Sequence, residues 1–122
     1  MDYVEAKNYL KHYRDLSDRL EVIENRLLNI KAVSYQKTPG GGRHKTINDY
    51  IDEKYKIEED MAEIEKTVAS VEDYRCRMVL RYKYFEFMTL EQISDSCMFY
   101  SVRQLKRIHN QGISCLADKV GT

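Results

Sequence analysis

Apolar residues recur every seven positions through the first thirty residues of the chain, in two interleaved series. The first series is Ala6, Tyr13, Leu20 and Leu27, and the second is Tyr9, Leu16, Ile23 and Ile30. Because the spacing alternates between three and four residues, both series fall on one stripe of a helix. We therefore predict a helix over residues 2–33. A single helix cannot bury such a stripe by itself, so it must pack against a second one.

The segment 38–45 predicts the end of this helix and a turn. Pro39 cannot continue a helix, and the three glycines that follow it, residues 40–42, favour a turn. Lys45 and Thr46 lie close by, as they would in a phosphate-binding loop. However, that loop needs the frame G-x-x-x-x-G-K-[ST] after a buried strand, and this sequence has neither. We therefore expect a hinge.

A second helix is predicted to begin near Thr46. It too has two interleaved apolar series, which together form its seam, the stripe that would face a partner helix. The first series is Tyr50, Ile57, Ile64 and Val71, and the second is Ile47, Met61 and Val68, with Lys54 interrupting the second. Two helices of similar length joined by a short turn predict an antiparallel hairpin over residues 1–72. The stripe could close within one chain or between two copies in a homodimer. We expect the hairpin to be a structural or dimerisation stalk rather than a nucleic-acid contact.

The composition agrees with an all-α fold, because the chain has one proline and five glycines among 122 residues. Its net charge is zero, but the charges are unevenly distributed. Residues 1–72 carry 12 basic and 15 acidic side chains, whereas residues 73–122 carry 8 basic and 5 acidic ones. The C-terminal part is therefore the more favourable part for binding a polyanion.

Residues 73–122 predict three shorter helices. The first spans about 73–84, with Met78, Val79 and Tyr82 on its apolar face. A second, about 90–96, begins at the capping-box frame Thr89–Gln92, and a turn at 97–100 leads to the same kind of frame at Ser101–Gln104. Two capped helices of this length around a four-residue turn are typical of a helix-turn-helix.

The last helix is predicted to be amphipathic. Leu105, Ile108, Gly112 and Leu116 share one face, with His109 beside them as a packing residue. The opposite face has the side chains that read DNA, because Arg pairs with guanine, Asn with adenine, and Lys or Arg with phosphate. The predicted DNA-binding residues on this helix are Arg103, Lys106, Arg107 and Asn110 of that face, joined by Val102 and Gln104 near the helix N-terminus, the end that usually enters the groove.

Three segments resemble a known family: 77–82 (RMVLRY), 88–93 (MTLEQI) and 100–109 (YSVRQLKRIH). They are similar to region 4 of sigma-70-type factors, and more closely to the ArpU and RinA-like regulators of phages and prophages of Gram-positive bacteria. The resemblance implies a transcription regulator that binds promoter double-stranded DNA, alongside host RNA polymerase, in the host bacterial cytoplasm. It implies DNA contacts at the recognition-helix positions Ser101, Val102, Arg103, Gln104 and Arg107, and at Thr89, the phosphate-side start of the preceding helix. The chain departs from sigma factors at 94–97 (SDSC), where they carry Ala and a Gly.

Two other functions remain open on the sequence. Small terminase subunits, which package phage DNA, also combine a helix-turn-helix with coiled-coil oligomerisation, and an adaptor that binds only protein would retain the same helices. We expect no enzyme, no cofactor, no metal site and no membrane span. Cys76, Cys97 and Cys115 are odd in number and far apart, so we expect them to pack as small apolar residues.

Overall fold

The computed structural model describes residues 2–32 and 47–120, and all of the regular structure in these ranges is helical. Helix α1 spans Tyr3–Ala32 and α2 spans Ile47–Ala69. Helix α3 spans Tyr74–Leu80 and continues as one π-helical segment, Arg81–Phe85, which we call the π turn. Helices α4 and α5 span Leu90–Ser96 and Val102–Val120. The predicted all-α fold is confirmed, whereas the predicted turn at 38–45 and the predicted helix start at Thr46 lie outside the described residues.

Helices α1 and α2 form an antiparallel hairpin within one chain. Polar contacts run along its length, from the 2.6 Å hydrogen bond that Tyr13 donates to Glu65 to the 2.8 Å ion pair between Arg19 and Glu53. Lys54, which interrupts the predicted seam, lies 3.9 Å from Glu24 on α1. The hairpin therefore accommodates this lysine at its polar edge.

The heptad prediction identifies most of the buried stripe. Most residues that it placed on the seam are buried, including Val71, which follows the end of α2: Ala6, Tyr13, Leu16, Ile23, Tyr50, Ile57, Ile64, Val68 and Val71. Tyr9, Leu20, Leu27 and Met61 are half-buried against them. Ile47 does not fit the prediction, because it lies beyond Tyr50, the last buried seam residue at that end, and is 47% exposed. The Ile30 side chain lies outside the described residues.

Leu10 was not on the predicted seam, yet it is fully buried. The reason is that the N-terminal half of α1 also packs against α5 and the π turn. The Tyr13 ring, for example, lies 4.4 Å from the Phe85 ring, centroid to centroid. A helix that contacts two neighbours needs a wider apolar face than a two-helix seam provides. The predicted segments 1–72 and 73–122 are thus in direct contact.

Helix α3 packs closely on α5, and its buried face differs from the predicted one. Val79 is buried as expected, but Met78 and Tyr82 are only half-buried. Cys76 and Leu80 take the fully buried positions instead. The cause is Gly112 on α5: a Cβ built there would lie 3.3 Å from Cys76 Cβ and from Leu80 Cγ and Cδ1. This close approach turns the Cys76–Leu80 edge of α3 toward α5.

Candidate nucleic-acid interface

Both predicted helix starts have the expected capping geometry. The Thr89 hydroxyl accepts a hydrogen bond from the Gln92 amide at 3.2 Å, and the Thr89 amide donates to Gln92 Oε1 at 2.9 Å. At the start of α5 the Gln104 amide donates to Ser101 Oγ at 3.2 Å, and the Ser101 amide donates to Gln104 Oε1 at 3.0 Å. These reciprocal bonds satisfy N–H groups that a helix start leaves without partners. The structure therefore gives Thr89, Ser101 and Gln104 capping contacts.

The connection between α4 and α5 is held by its own hydrogen bonds. The Cys97 and Met98 amides both donate to the Ile93 carbonyl, at 3.0 and 2.9 Å. The Ser94 hydroxyl donates to the Tyr100 carbonyl at 2.7 Å, across the turn. Ser94 of α4 is thus bonded directly to the segment that precedes α5.

Helix α5 is strongly two-sided. Its inner face is buried and consists of Leu105, Ile108, His109, Gly112, Ile113, Leu116 and Ala117. Ile113 and Ala117 were not among the predicted members of this face. On the outside, Arg103, Lys106 and Arg107 are exposed at the N-terminal end, while Val102 is half-buried. None of these three cations forms an ion pair with another described residue. We call them the α5 ridge.

Asn110 is exposed like the ridge, but its side chain has partners in the protein. The Tyr3 hydroxyl of α1 donates a 2.8 Å hydrogen bond to Asn110 Oδ1. His109 Nδ1 lies 3.3 Å from the same oxygen. The side-chain oxygen of Asn110 is thus directed toward α1. The side-chain nitrogen is the group that can donate a hydrogen bond to a DNA base.

His109 is a packing residue, as the sequence predicts, and it is 5% exposed. The Tyr84 hydroxyl lies 2.7 Å from His109 Nε2, and the two rings stack 5.6 Å apart. Burial lowers the pKa of His109 below its usual 6.5, and the charges of Lys83 and Lys7 lower it further, against the hydrogen bond to Asn110. The neutral tautomer with its proton on Nδ1 satisfies both contacts, since Tyr84 then donates to Nε2 and Nδ1 donates to Asn110.

Sequence reasoning missed three residues that the structure brings beside the end of the ridge. Tyr3 contacts Asn110 directly, and Lys7 and Lys83 both lie close enough to His109 to influence its ionisation. One signal in the sequence could have found the α1 members: Tyr3, Lys7, Leu10 and Arg14 share a helix face beside the heptad stripe. Leu10, the apolar residue of that face, indicates that something packs there.

No family model matches the chain, and comparisons with curated proteins and with solved structures give no match either. Within residues 2–32 and 47–120, no three His, Cys, Asp or Glu side chains are grouped closely enough to hold a metal ion. Among the same residues, no helix combines the length and the apolar content that crossing a bilayer requires. The candidate site therefore rests on the geometry of α4, α5 and the adjoining end of α1.

Proposed function

We propose that the protein is a sequence-specific DNA-binding transcription regulator in which α4, the turn at 97–101 and α5 act as a helix-turn-helix. The observation that carries the proposal is the α5 ridge, three exposed cations without ion-pair partners among the described residues. They stand at the N-terminal end of a capped helix, the end that enters the major groove in proteins of this class.

The chemistry of the ridge suits DNA. Arg103 and Arg107 each offer a planar fork of donors that matches O6 and N7 of guanine, and Lys106 offers a point charge to a phosphate. Lys106 and Arg107 lie three and four residues after Arg103, so all three share one helix face. Thr89, at the start of α4, would meet the phosphate backbone on the near side of the groove.

The finer part of the proposal depends on the resemblance of residues 77–109 to ArpU and RinA-like regulators. It supports a phage or prophage regulator that acts at promoters with host RNA polymerase in the bacterial cytoplasm. Dimerisation through the heptad seam would need the hairpin to open, because α1 and α2 already bury that seam against each other. A homodimer would therefore have to use other surfaces.

The test begins with selection of bound fragments from bacterial and prophage genomic DNA, followed by titration of a selected duplex and a scrambled one at several salt concentrations. We expect the selected duplex to bind about 10³-fold more tightly or better, with both affinities falling steeply as salt rises. Equal affinity for the two duplexes would contradict sequence-specific regulation. Affinity that does not respond to salt would favour the protein-binding adaptor.

Native mass measurement separates the regulator from the DNA-packaging alternative. A regulator with a hairpin closed within each chain is expected as a monomer or dimer. A ring of many copies would favour a terminase-like subunit.

A further inference from the structure

We infer that the N-terminal half of α1 forms a second limb of the DNA interface, which binds the phosphates of one strand beside the groove that α5 occupies. This inference rests on the proposed function. It assigns a ligand to Lys7, Lys11 and Arg14 of α1 and to Lys83 of the π turn. We call these four residues the lateral basic groove.

Three of the four cations line one concave surface. A groove of about 440 Å³ runs between α1 and the π turn, and Lys11, Arg14 and Lys83 contribute to its lining. Asp15 is the acidic residue that also lines it. Lys7 lies one helical turn before Lys11 on α1, and its charge, like that of Lys83, lowers the pKa of the buried His109.

Among the described residues that line the groove, Asp15 alone is acidic, so it offsets the positive charge only in part. None of the four cations forms an ion pair with another described residue. Arg14 and Lys83 rest instead on aromatic rings, 5.1 Å from the Phe87 centroid and 6.0 Å from the Tyr84 centroid. Such contacts position a cation without cancelling its charge. Clustered like charges repel one another, so an external polyanion is the partner that this surface fits.

The lateral basic groove is continuous with the α5 ridge. The hydrogen bond between Tyr3 and Asn110 joins the first turn of α1 to α5. Lys106 lies one helical turn before Asn110, and Lys7 lies one turn after Tyr3. The positive surface therefore runs from Arg103 along α5, across to α1 and on to Arg14.

The dimensions of this surface match a DNA backbone. From Tyr3 to Arg14 the helix axis advances about 16 Å at 1.5 Å per residue. Phosphates of one strand follow one another every 3.4 Å along the duplex, so this length covers roughly five of them. The contacts would be independent of sequence, because three of the four cations are lysines, which present point charges to phosphate rather than a fork to a base edge.

The two helices of the hairpin differ in charge, because α1 carries six basic and five acidic residues whereas α2 is strongly acidic. Helix α2 carries eight acidic and three basic residues between Ile47 and Ala69. A duplex is repelled by that side and attracted by the α1 side. The charge difference across the hairpin thus sets the side from which DNA approaches.

The test compares a double variant with a control of equal charge change. Lys11→Gln/Arg14→Gln removes two cations from the lateral basic groove, and Lys56→Gln/Lys66→Gln removes two exposed cations from α2. Binding of the full chain to the genomically selected duplex and to a scrambled duplex is titrated between about 50 and 400 mM salt. Thermal unfolding of each variant verifies that it is folded.

Each phosphate contact contributes about 0.9 to the slope of log affinity against log salt. We expect the double variant to lower that slope by about 1–2 and to weaken binding to both duplexes on the order of ten-fold at 0.1 M salt. The ratio between the two duplexes stays constant, and the α2 control keeps the wild-type slope. Because Arg14 also contacts Phe87, the single variant Lys11→Gln repeats the test away from that contact, with an expected slope change of about 1.

The outcomes separate this inference from the proposed function. If the wild-type protein binds DNA and the lateral-groove variants show the same salt slope as the wild type, the inference is overturned and the regulator proposal stays intact. If the double variant loses affinity for the selected duplex only, the inference is also overturned, because that result indicates base reading. If a single-stranded RNA is titrated in parallel and the double variant loses only that binding, the inference is overturned and the groove is assigned to RNA. A wild-type chain that binds neither duplex contradicts the proposed function itself.

Discussion

The Tyr3 hydroxyl lies 2.8 Å from Asn110 Oδ1, although the two residues are 107 positions apart in the chain. This bond holds the beginning of α1 against the outer edge of α5. The Tyr13 ring, three turns further along α1, packs 4.4 Å from the Phe85 ring of the π turn. Two contacts at different points along α1 fix both the position and the direction of this helix relative to α5 and the π turn. The hairpin therefore sets the orientation of the residues proposed to meet DNA.

The first prediction concerns this bond. Tyr3→Phe removes the donor and keeps the ring, so we expect the free energy of unfolding to fall by about 0.5–1.5 kcal/mol. Urea denaturation measures the change. Tyr55→Phe is the matched control, because Tyr55 is 65% exposed on α2. If both variants unfold at the same urea concentration, the Tyr3 bond does not stabilise the protein.

The elements that the sequence predicted well are those determined by neighbours in the chain. The capping contacts at Thr89 and Ser101 each involve a residue three positions away, so the local frame is enough to predict them. The hairpin stripe follows from a repeat that is visible in any window of two heptads. The same locality explains why α4 begins and ends at the predicted residues.

The features that the sequence did not predict depend on contacts between distant segments. Leu10 is buried because α5 and the π turn pack on α1. The heptad pattern of α1 and α2 does not predict these contacts. A helical wheel places Asn110 outward, but it cannot show that Tyr3 contacts its side chain. Phe87 has a left-handed backbone with φ 58°, a conformation that Phe seldom adopts, and its neighbours Tyr13 and Arg14 lie on α1.

The second prediction concerns pH. Burial lowers the folded-state pKa of His109, so the unfolded chain binds a proton that the folded protein resists. Stability from this residue is fully present above the unfolded-state value of about 6.5 and is lost as pH falls from there toward the lower folded-state pKa. We expect the urea midpoint to decrease between about pH 7.5 and 5.5.

The variant His109→Gln cannot titrate, so its urea midpoint is expected to change less over the same pH range. His12→Gln is the control, since His12 is exposed on α1. Should the His109 variant and the control show the same pH dependence, burial of His109 is not its source.

The third prediction concerns the contact between α3 and α5. Gly112→Ala improves helix propensity by about 1 kcal/mol. However, the new methyl group would press at 3.3 Å on Cys76 Cβ and on the fully buried Leu80. Overpacking of this kind costs about 1–3 kcal/mol, so we expect a net loss of stability. Thermal unfolding measures it against Ser114→Ala, an exposed change on the same helix. A Gly112→Ala variant that melts above the wild type would mean that α3 moves aside without cost.

The last prediction addresses base reading by the α5 ridge. Arg103→Ala and Arg107→Ala should each weaken binding to the selected duplex by about 1–3 kcal/mol, because each removes a bidentate donor pair from a base edge. Both side chains are exposed, so the unfolding temperature should not change. Binding to a scrambled duplex should decrease less, which reduces the ratio between the two affinities. Arg81→Ala, an exposed change on the π turn, controls for the loss of one charge. An equal decrease on both duplexes, with a shallower salt slope, would show that the arginine binds phosphate, and specificity would then have to come from other residues of α5.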